Sequence, residues 1–187
     1  MKHSTYGIAW GIALAVTAIA TPLSAQDTKP SLFAEVRAGA VVPTFDIADV
    51  ATSGAALGAT LGYAPNERWV LMAEFDYGGH EDEATGSVDI NTLHYMGKVG
   101  YSLTGPKERG WEALVNLGAG AVTFDVDGAD ARTYFAINAG AKLAYNFNSR
   151  FAVVLSPQGD IAFSKKSELT TNNAWVWPFT AGVRFKM

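Results

Sequence analysis

Ionisable residues of both signs share one face of several stretches in which apolar and polar residues alternate. Every second residue of a β-strand projects from the same face, which places Glu35 beside Arg37 and Glu74 beside Asp76. Charges removed from water need partners of opposite sign. We therefore predict a polar network that is structural rather than catalytic, with the members Glu35, Arg37, Glu74, Asp76, His94, Lys98, Glu112, Lys142, Asp160 and Arg184.

The histidines are the side chains best suited to catalysis or metal binding. His80 stands in an acidic, glycine-containing stretch, residues 78–88, which predicts a solvated loop. Alternation places His94 on the same face as Lys98, so His94 is assigned to the polar network. We predict no catalytic residue, no metal site and no cofactor.

A cluster of aspartates, Asp125, Asp127 and Asp130, surrounds Gly128. The spacing is similar to the start of a calcium-binding loop, but the distal glutamate of such loops is missing. Asp-Gly is also a favoured pair for a hairpin turn. We expect a turn here.

Two prolines, Pro157 and Pro178, interrupt stretches that otherwise alternate as strands. Proline lacks the N–H that a strand donates to its neighbour, and a closed barrel has no free edge to accommodate it. They lie on either side of one polar loop, residues 164–174, and are expected to face each other across one pair of strands. They indicate tolerated bulges or, alternatively, a weakened seam that admits lipid sideways.

The elements that position these residues are eight β-strands. Their apolar residues recur with a period of two, and polar or glycine-containing segments separate them. The phase of Ile90 conflicts with the strand that follows it, which predicts a bulge near Asn91. The predicted strands cover residues 32–42, 56–63, 68–77, 92–103, 111–121, 135–147, 150–163 and 175–187.

The beginning of the chain predicts export from the cytoplasm. Lys2 is followed by an apolar run and a small residue at Ala25, the pattern of a cleavable signal peptide over residues 1–25. A polar leader, residues 26–31, precedes a single domain, residues 32–187. The absence of cysteine excludes disulfides and thiolate metal sites. A formal net charge of −4 disfavours nucleic-acid binding.

The aromatic residues decide which way the apolar faces point. They cluster near both strand ends, with aliphatic residues between them, which is typical of a barrel in a bilayer. Trp69 to Tyr77 spans nine residues, enough for a tilted strand to cross the hydrocarbon. Eight strands enclose only enough space for side chains, so the lumen is expected to be plugged. The predicted interface aromatics are Tyr63, Trp69, Tyr77, Tyr101, Trp111, Tyr145, Phe151, Trp175, Trp177 and Phe185.

These features resemble the small outer-membrane β-barrel family of Gram-negative bacteria, of the opacity, OmpX and OmpA-barrel type. The resemblance rests on the signal peptide, the strand at residues 68–77, the terminal strand and two Asn-x-Arg-aromatic turns, residues 66–69 and 148–151. It implies an all-β, eight-stranded antiparallel up-and-down transmembrane barrel. The family's terminal insertion signal usually ends in Phe, whereas this chain ends in Met187 with Phe185 on the same face.

The resemblance also implies a location and partners. The barrel would lie in the outer membrane, in contact with lipopolysaccharide and phospholipid, with short turns and both termini in the periplasm and long loops outside. Its biogenesis would require periplasmic chaperones and the barrel-assembly machinery. The loops could meet an extracellular or host ligand.

Four functions are compatible with this pattern. A non-enzymatic scaffold for surface interaction is the first, and a small porin-like channel the second. The third is a lipid-modifying enzyme, although the His-x-Ser pair of lipid A deacylases is missing here. His80, Asp82 and Ser87 share one loop, as a lipid A palmitoyltransferase would require. A soluble periplasmic binding protein is the fourth.

Overall fold

The computed structural model describes residues 30–81, 89–169 and 172–187. The predicted signal peptide and residues 26–29 of the leader lie outside these ranges. Nearly all of the described chain is strand, as the alternation predicts. The strands are β1 (Ser31–Thr44), β2 (Gly54–Ala64), β3 (Trp69–Glu81), β4 (Asp89–Ser102), β5 (Gly110–Val126), β6 (Arg132–Asn146), β7 (Phe151–Ala162) and β8 (Ala174–Lys186).

The eight strands form a closed antiparallel barrel in which each strand pairs with its sequence neighbours and β8 returns to β1. The register of this closure runs from Phe33 opposite Lys186 to Thr44 opposite Trp175. Closure leaves no unpaired sheet edge, which allows a sheet to lie in lipid. The prediction of an eight-stranded up-and-down barrel is confirmed. Among the described residues, no helix is long and apolar enough to cross a membrane.

The two ends of the barrel differ in their connections. We call the end with the connections 65–68, 103–109 and 147–150 the turn end, and the opposite end the loop end. The two similar turns have the same capping geometry. Asn66 Oδ1 accepts hydrogen bonds from the backbone N–H groups of Arg68 and Trp69, and Asn148 Oδ1 does so for Arg150 and Phe151. The repeated sequence therefore encodes a repeated turn.

The outer face is apolar between two zones of aromatic side chains. At the turn end, the rings of Trp69 and Tyr101 lie 5.2 Å apart and those of Trp111 and Tyr145 lie 5.1 Å apart. Among the predicted interface aromatics, Tyr77, Tyr145, Trp175 and Trp177 are half-buried and the others are exposed. In the described strands, no charged side chain projects outward between these zones. A surface of this kind suits lipid and would be unfavourable in water.

The interior is divided into layers along the barrel axis. Phe33, Val70, Met72 and Leu114 form an apolar layer near the turn end. Charged and polar side chains fill the middle of the lumen. A second apolar cluster lies toward the loop end and includes Val41, Met96, Val122, Phe124, Tyr134 and Val176.

Two local predictions are wrong. The register between β4 and β5 runs without interruption from Ile90 to Ser102, so there is no bulge at Asn91. Ile90 differs in phase because its side chain belongs to the lumen rather than to the outer face. His80 does not lie in a solvated loop, because β3 continues to Glu81 and encloses the imidazole, which is 4% exposed.

Candidate functional site

Lys142 of β6 lies at the centre of the charged layer. Its Nζ is 2.6 Å from Glu35 Oε2 and 2.7 Å from Glu74 Oε2, and it donates to Thr60 Oγ1 at 3.1 Å. Both carboxylates and the ammonium group are fully buried. This lysine therefore joins two acidic partners that lie on different strands.

Arg37 of β1 contacts the same two carboxylates from another side. Its Nη1 lies 2.8 Å from Glu35 Oε2 and 3.1 Å from Glu74 Oε2. Its Nη2 donates to Asp76 Oδ1 at 2.8 Å, and its Nε donates to Thr180 Oγ1 at 3.1 Å. The planar guanidinium therefore joins three acids in a fixed arrangement.

Two further cations extend the cluster in opposite directions. Lys98 Nζ contacts Glu74 and donates to Gln158 Oε1 at 3.1 Å. Arg184 lies 2.7 Å from Glu35 Oε1 and 3.4 Å from Glu112 Oε2, and its guanidinium covers the Phe33 ring at 4.5 Å. The cluster therefore reaches the apolar layer at the turn end.

We call the set the ionic network, and its four acids and four bases are Glu35, Glu74, Asp76, Glu112, Arg37, Lys98, Lys142 and Arg184. A fifth base, Lys186, contacts Glu112 at 2.9 Å where the network reaches the turn end. Thr60 of β2 and Gln158 of β7 join it, so every strand of the barrel contributes a side chain. Paired charges that link all strands act as a cross-section plug of the lumen.

The other two predicted members of the network form a separate group. His94 Nδ1 lies 2.8 Å from Asp160 Oδ2, and Asn138 Nδ2 donates to Asp160 Oδ1 at 2.6 Å. His94 Nε2 and Asn138 Oδ1 have no hydrogen-bond partner among the described residues. The sequence prediction placed these residues in one network, whereas the structure places them on the loop-end side of the ionic network.

His80 is a further buried polar residue, and it lies nearer the loop end of the lumen than His94 does. Its Nδ1 is 2.8 Å from the carbonyl oxygen of Thr52, and its Nε2 is 3.4 Å from Thr92 Oγ1. His80 and Thr92 also line a cavity at this end of the lumen. Asp82 and Ser87, which the sequence grouped with His80, lie outside the described residues.

Pro157 interrupts the pairing of β7 with β6. Hydrogen-bonded pairs alternate along an antiparallel ladder, and Phe163 donates to Phe135 in this one. Counting in steps of two residues from Phe163, Pro157 occupies a hydrogen-bonded position opposite Ala141. The pair of Pro157 and Ala141 is missing from the ladder. Gln158 compensates: its Nε2 donates to the Ala141 carbonyl at 3.0 Å.

Pro178 interrupts a different ladder, that of β8 with β7. Lys186 donates to Arg150 in this ladder, so the missing Pro178 N–H would have met the carbonyl of Gln158. The prediction that the two prolines face each other is wrong, because Pro157 is opposite Phe179. The Trp177 indole covers this gap on the outer face. It lies so close to Gly159 that a Cβ atom on this residue would be 2.7 Å from the ring.

The aspartate cluster forms a turn. The N–H of Ala129 donates to the carbonyl of Val126 at 3.0 Å, and Gly128 has a φ of 80°. That positive φ favours glycine, which explains the Asp-Gly pair at this position.

Sequence reasoning missed Gln158 as a member of the polar centre. Its amide joins Lys98, Ser156 and the Ala141 carbonyl. An amide side chain directly after a strand proline was the available signal, but its partner depends on the register of β6 against β7.

Comparison with known proteins agrees with this geometry. Residues 11–186 match the family model described as outer membrane protein beta-barrel domain. No curated protein sequence matches the chain. The solved structure of Neisserial surface protein A is similar, with a TM-score of 0.66, 15% identity and coverage of 86% of this chain and 100% of that one.

Two further solved structures share the fold. The N-terminal β-barrel domain of Pseudomonas aeruginosa OprF has a TM-score of 0.56 and 19% identity, with 87% of this chain and 100% of that one covered. A major outer membrane protein of Thermus thermophilus has a TM-score of 0.62 and 12% identity, with 86% and 100% covered. The family match extends over almost the whole chain, and the predicted location is confirmed: the chain belongs to the outer membrane protein β-barrel domain family and is a protein of the outer membrane.

Proposed function

We propose that this protein is a non-enzymatic outer-membrane scaffold with a closed lumen, which presents its loop end to the cell exterior. The ionic network is the observation that carries the proposal. It draws side chains from all eight strands and is buried throughout its central part, at Glu35, Glu74 and Lys142. A barrel closed in this way is rigid in the membrane and leaves its loops as the variable surface.

A small channel is the second candidate, because eight strands surround a polar centre. A conducting path needs mobile charges or continuous free space along the axis. The network instead has short contacts across the lumen, and Phe33, Val70, Met72 and Leu114 pack beside its turn-end part. These features favour the closed scaffold over the channel.

A lipid-modifying enzyme has less support. The gap beside Pro157 and Pro178 is filled by Gln158 on the inner side and by Trp177 on the outer side. His94 and Asp160 are both buried, at 1% and 3% exposure, and Ser156 is engaged by Gln158. A nucleophile with an adjacent base, which acyl transfer requires, is therefore not assembled among these residues.

The same proposal includes processing and partners. Residues 1–25 are a signal peptide cleaved after Ala25, and residues 26–31 a leader that precedes the barrel domain. The interface aromatics contact lipopolysaccharide and phospholipid at the two bilayer surfaces. Periplasmic chaperones and the barrel-assembly machinery act on the exported chain, and the loops provide the surface for an extracellular partner.

Solute flux and lipid chemistry test the proposal together. Purified protein reconstituted into liposomes is expected to leave small-sugar permeability at the level of empty vesicles. Lipid A incubated with the protein is expected to keep its mass spectrum. Swelling of the liposomes would favour the channel, and a change of acyl mass in lipid A would favour the enzyme.

A further inference from the structure

The cavity at the loop end has a volume of about 170 Å³. Thr92, which lines it, precedes His94 by two positions on the inward face of β4. Apolar side chains of several strands and of the connection after β1 make up most of its wall. They include Ile47, Val50, Ile90, Phe124, Val126 and Val176.

The size of this cavity matches a single ring. An engineered protein cavity of about 150 Å³ with apolar walls accepts benzene. Apolar walls make the transfer of a charged ligand from water unfavourable and that of a neutral apolar one favourable. The occupant should therefore be neutral and mostly apolar, and the part of it inside the cavity should be about the size of one six-membered ring.

His80 supplies a polar group with capacity for a ligand. A carbonyl oxygen only accepts, so the 2.8 Å contact with Thr52 places a proton on His80 Nδ1. In the neutral ring Nε2 is then an acceptor. Its contact with Thr92 Oγ1, 3.4 Å, is long for a hydrogen bond, and that hydroxyl also lies 3.3 Å from the Gly78 carbonyl. A hydroxyl on the ligand would give Nε2 a stronger donor.

We propose that this cavity binds a small neutral molecule with one apolar ring and one hydroxyl group, of which phenol is the simplest. The ring would contact the side chains of Ile47 and Ile90, and the hydroxyl would donate to His80 Nε2. Because the ionic network closes the lumen below, the ligand would be held at the loop end rather than passed through the barrel.

Isoleucine methyl groups provide a test with internal controls. The predicted signal peptide contains Ile8, Ile12 and Ile19, and the rest of the chain has four isoleucines. Two of these line the cavity, Ile47 and Ile90. The other two, Ile137 and Ile161, are opposite each other on the outer face of β6 and β7. In lipid nanodiscs with labelled δ1-methyl groups, these outer methyls report partitioning of the probe into lipid.

Titration with phenol is expected to shift the Ile47 and Ile90 signals along a saturating curve. Ile137 and Ile161 should show only a small linear response. Toluene should bind the same site about 2- to 10-fold more weakly, since it lacks the hydrogen bond to His80. Equal, unsaturated shifts of all four methyl groups would overturn the site, and equal affinity for both probes would overturn the role of the hydroxyl.

Two variants assign the polar contact. His80→Phe should retain toluene binding and bring the phenol-to-toluene affinity ratio close to one. Thr92→Val is the matched control, because it removes a hydroxyl from the same wall and leaves Nε2, so the preference for phenol should persist. Loss of the preference in Thr92→Val but not in His80→Phe would overturn the assignment. If His80→Phe fails to fold, the wild-type and Thr92→Val titrations still decide between the outcomes.

Discussion

The side-chain amide of Gln158 donates to the Ala141 carbonyl in place of the backbone N–H that Pro157 lacks. Mutation tests this compensation. In Gln158→Leu the Ala141 carbonyl loses the amide that donates to it at 3.0 Å. Leaving a buried carbonyl unsatisfied costs about 1–3 kcal/mol. The ionic network retains the contact of Lys98 with Glu74 in this variant. We therefore expect unfolding free energy to fall by about that amount without loss of the barrel.

Pro157→Ala should rescue the loss. The pairing parity directs an N–H at this position to the Ala141 carbonyl, which restores the donor from the backbone. The cost of Gln158→Leu measured in the Pro157→Ala background should be smaller by about 1 kcal/mol or more. Pro178→Ala is the matched control, because its new N–H would face the Gln158 carbonyl in the neighbouring ladder.

Equilibrium urea unfolding in lipid vesicles, followed by tryptophan fluorescence, provides these free energies. Retention of the heat-dependent shift in gel mobility would show that each variant is a folded barrel. Purely additive effects of Gln158→Leu and Pro157→Ala would refute the reasoning. An equal rescue by Pro178→Ala would refute it as well, because the effect would then not depend on which ladder is repaired.

Three further substitutions test other parts of the structure. Lys142→Met should lower the unfolding free energy by about 3–5 kcal/mol, because Glu35 and Glu74 lose a buried counterion. Adding Glu74→Gln to this variant should cost less than Glu74→Gln costs in the wild type. Strictly additive costs in urea unfolding would contradict the network. Leu117→Arg should cost about 2–4 kcal/mol in lipid vesicles, because Leu117 is 69% exposed midway between the aromatic zones; a neutral effect would contradict the lipid-facing surface. Asn148→Ala should cost about 0.5–2 kcal/mol by analogy with lost helix caps, since two backbone N–H groups lose their acceptor; an unchanged urea midpoint would contradict the capping role.

The strands were predictable because their residues alternate between two different environments. Outward residues face lipid and are apolar, whereas inward residues face the side chains that fill the lumen. Trp69, Leu71, Ala73, Phe75 and Tyr77 alternate with inward residues without exception, so β3 is clear from sequence alone. The opposite charges on inward positions also indicated a paired interior. The residues at which the strands end were harder to predict, because strand ends outside the hydrocarbon contact water and do not need an apolar outer face.

The loop-end half of the lumen was not predictable in the same way. Ile90 is apolar and faces inward, so a rule that assigns apolar residues to lipid interpreted it as a bulge. Two glycines and several acids near His80 predict a loop, whereas pairing with β4 extends β3 to Glu81. The partner of Gln158 depends on register, which a single sequence does not specify.

Ion conductance across a planar lipid bilayer tests the closed lumen most directly. Wild-type protein inserted from detergent should show no steady conductance above the empty bilayer, because the ionic network spans the lumen from every strand. Unfolded or aggregated protein is identified by the heat-dependent mobility shift of the same preparation. Reproducible single-channel steps from the folded wild-type barrel would contradict the account.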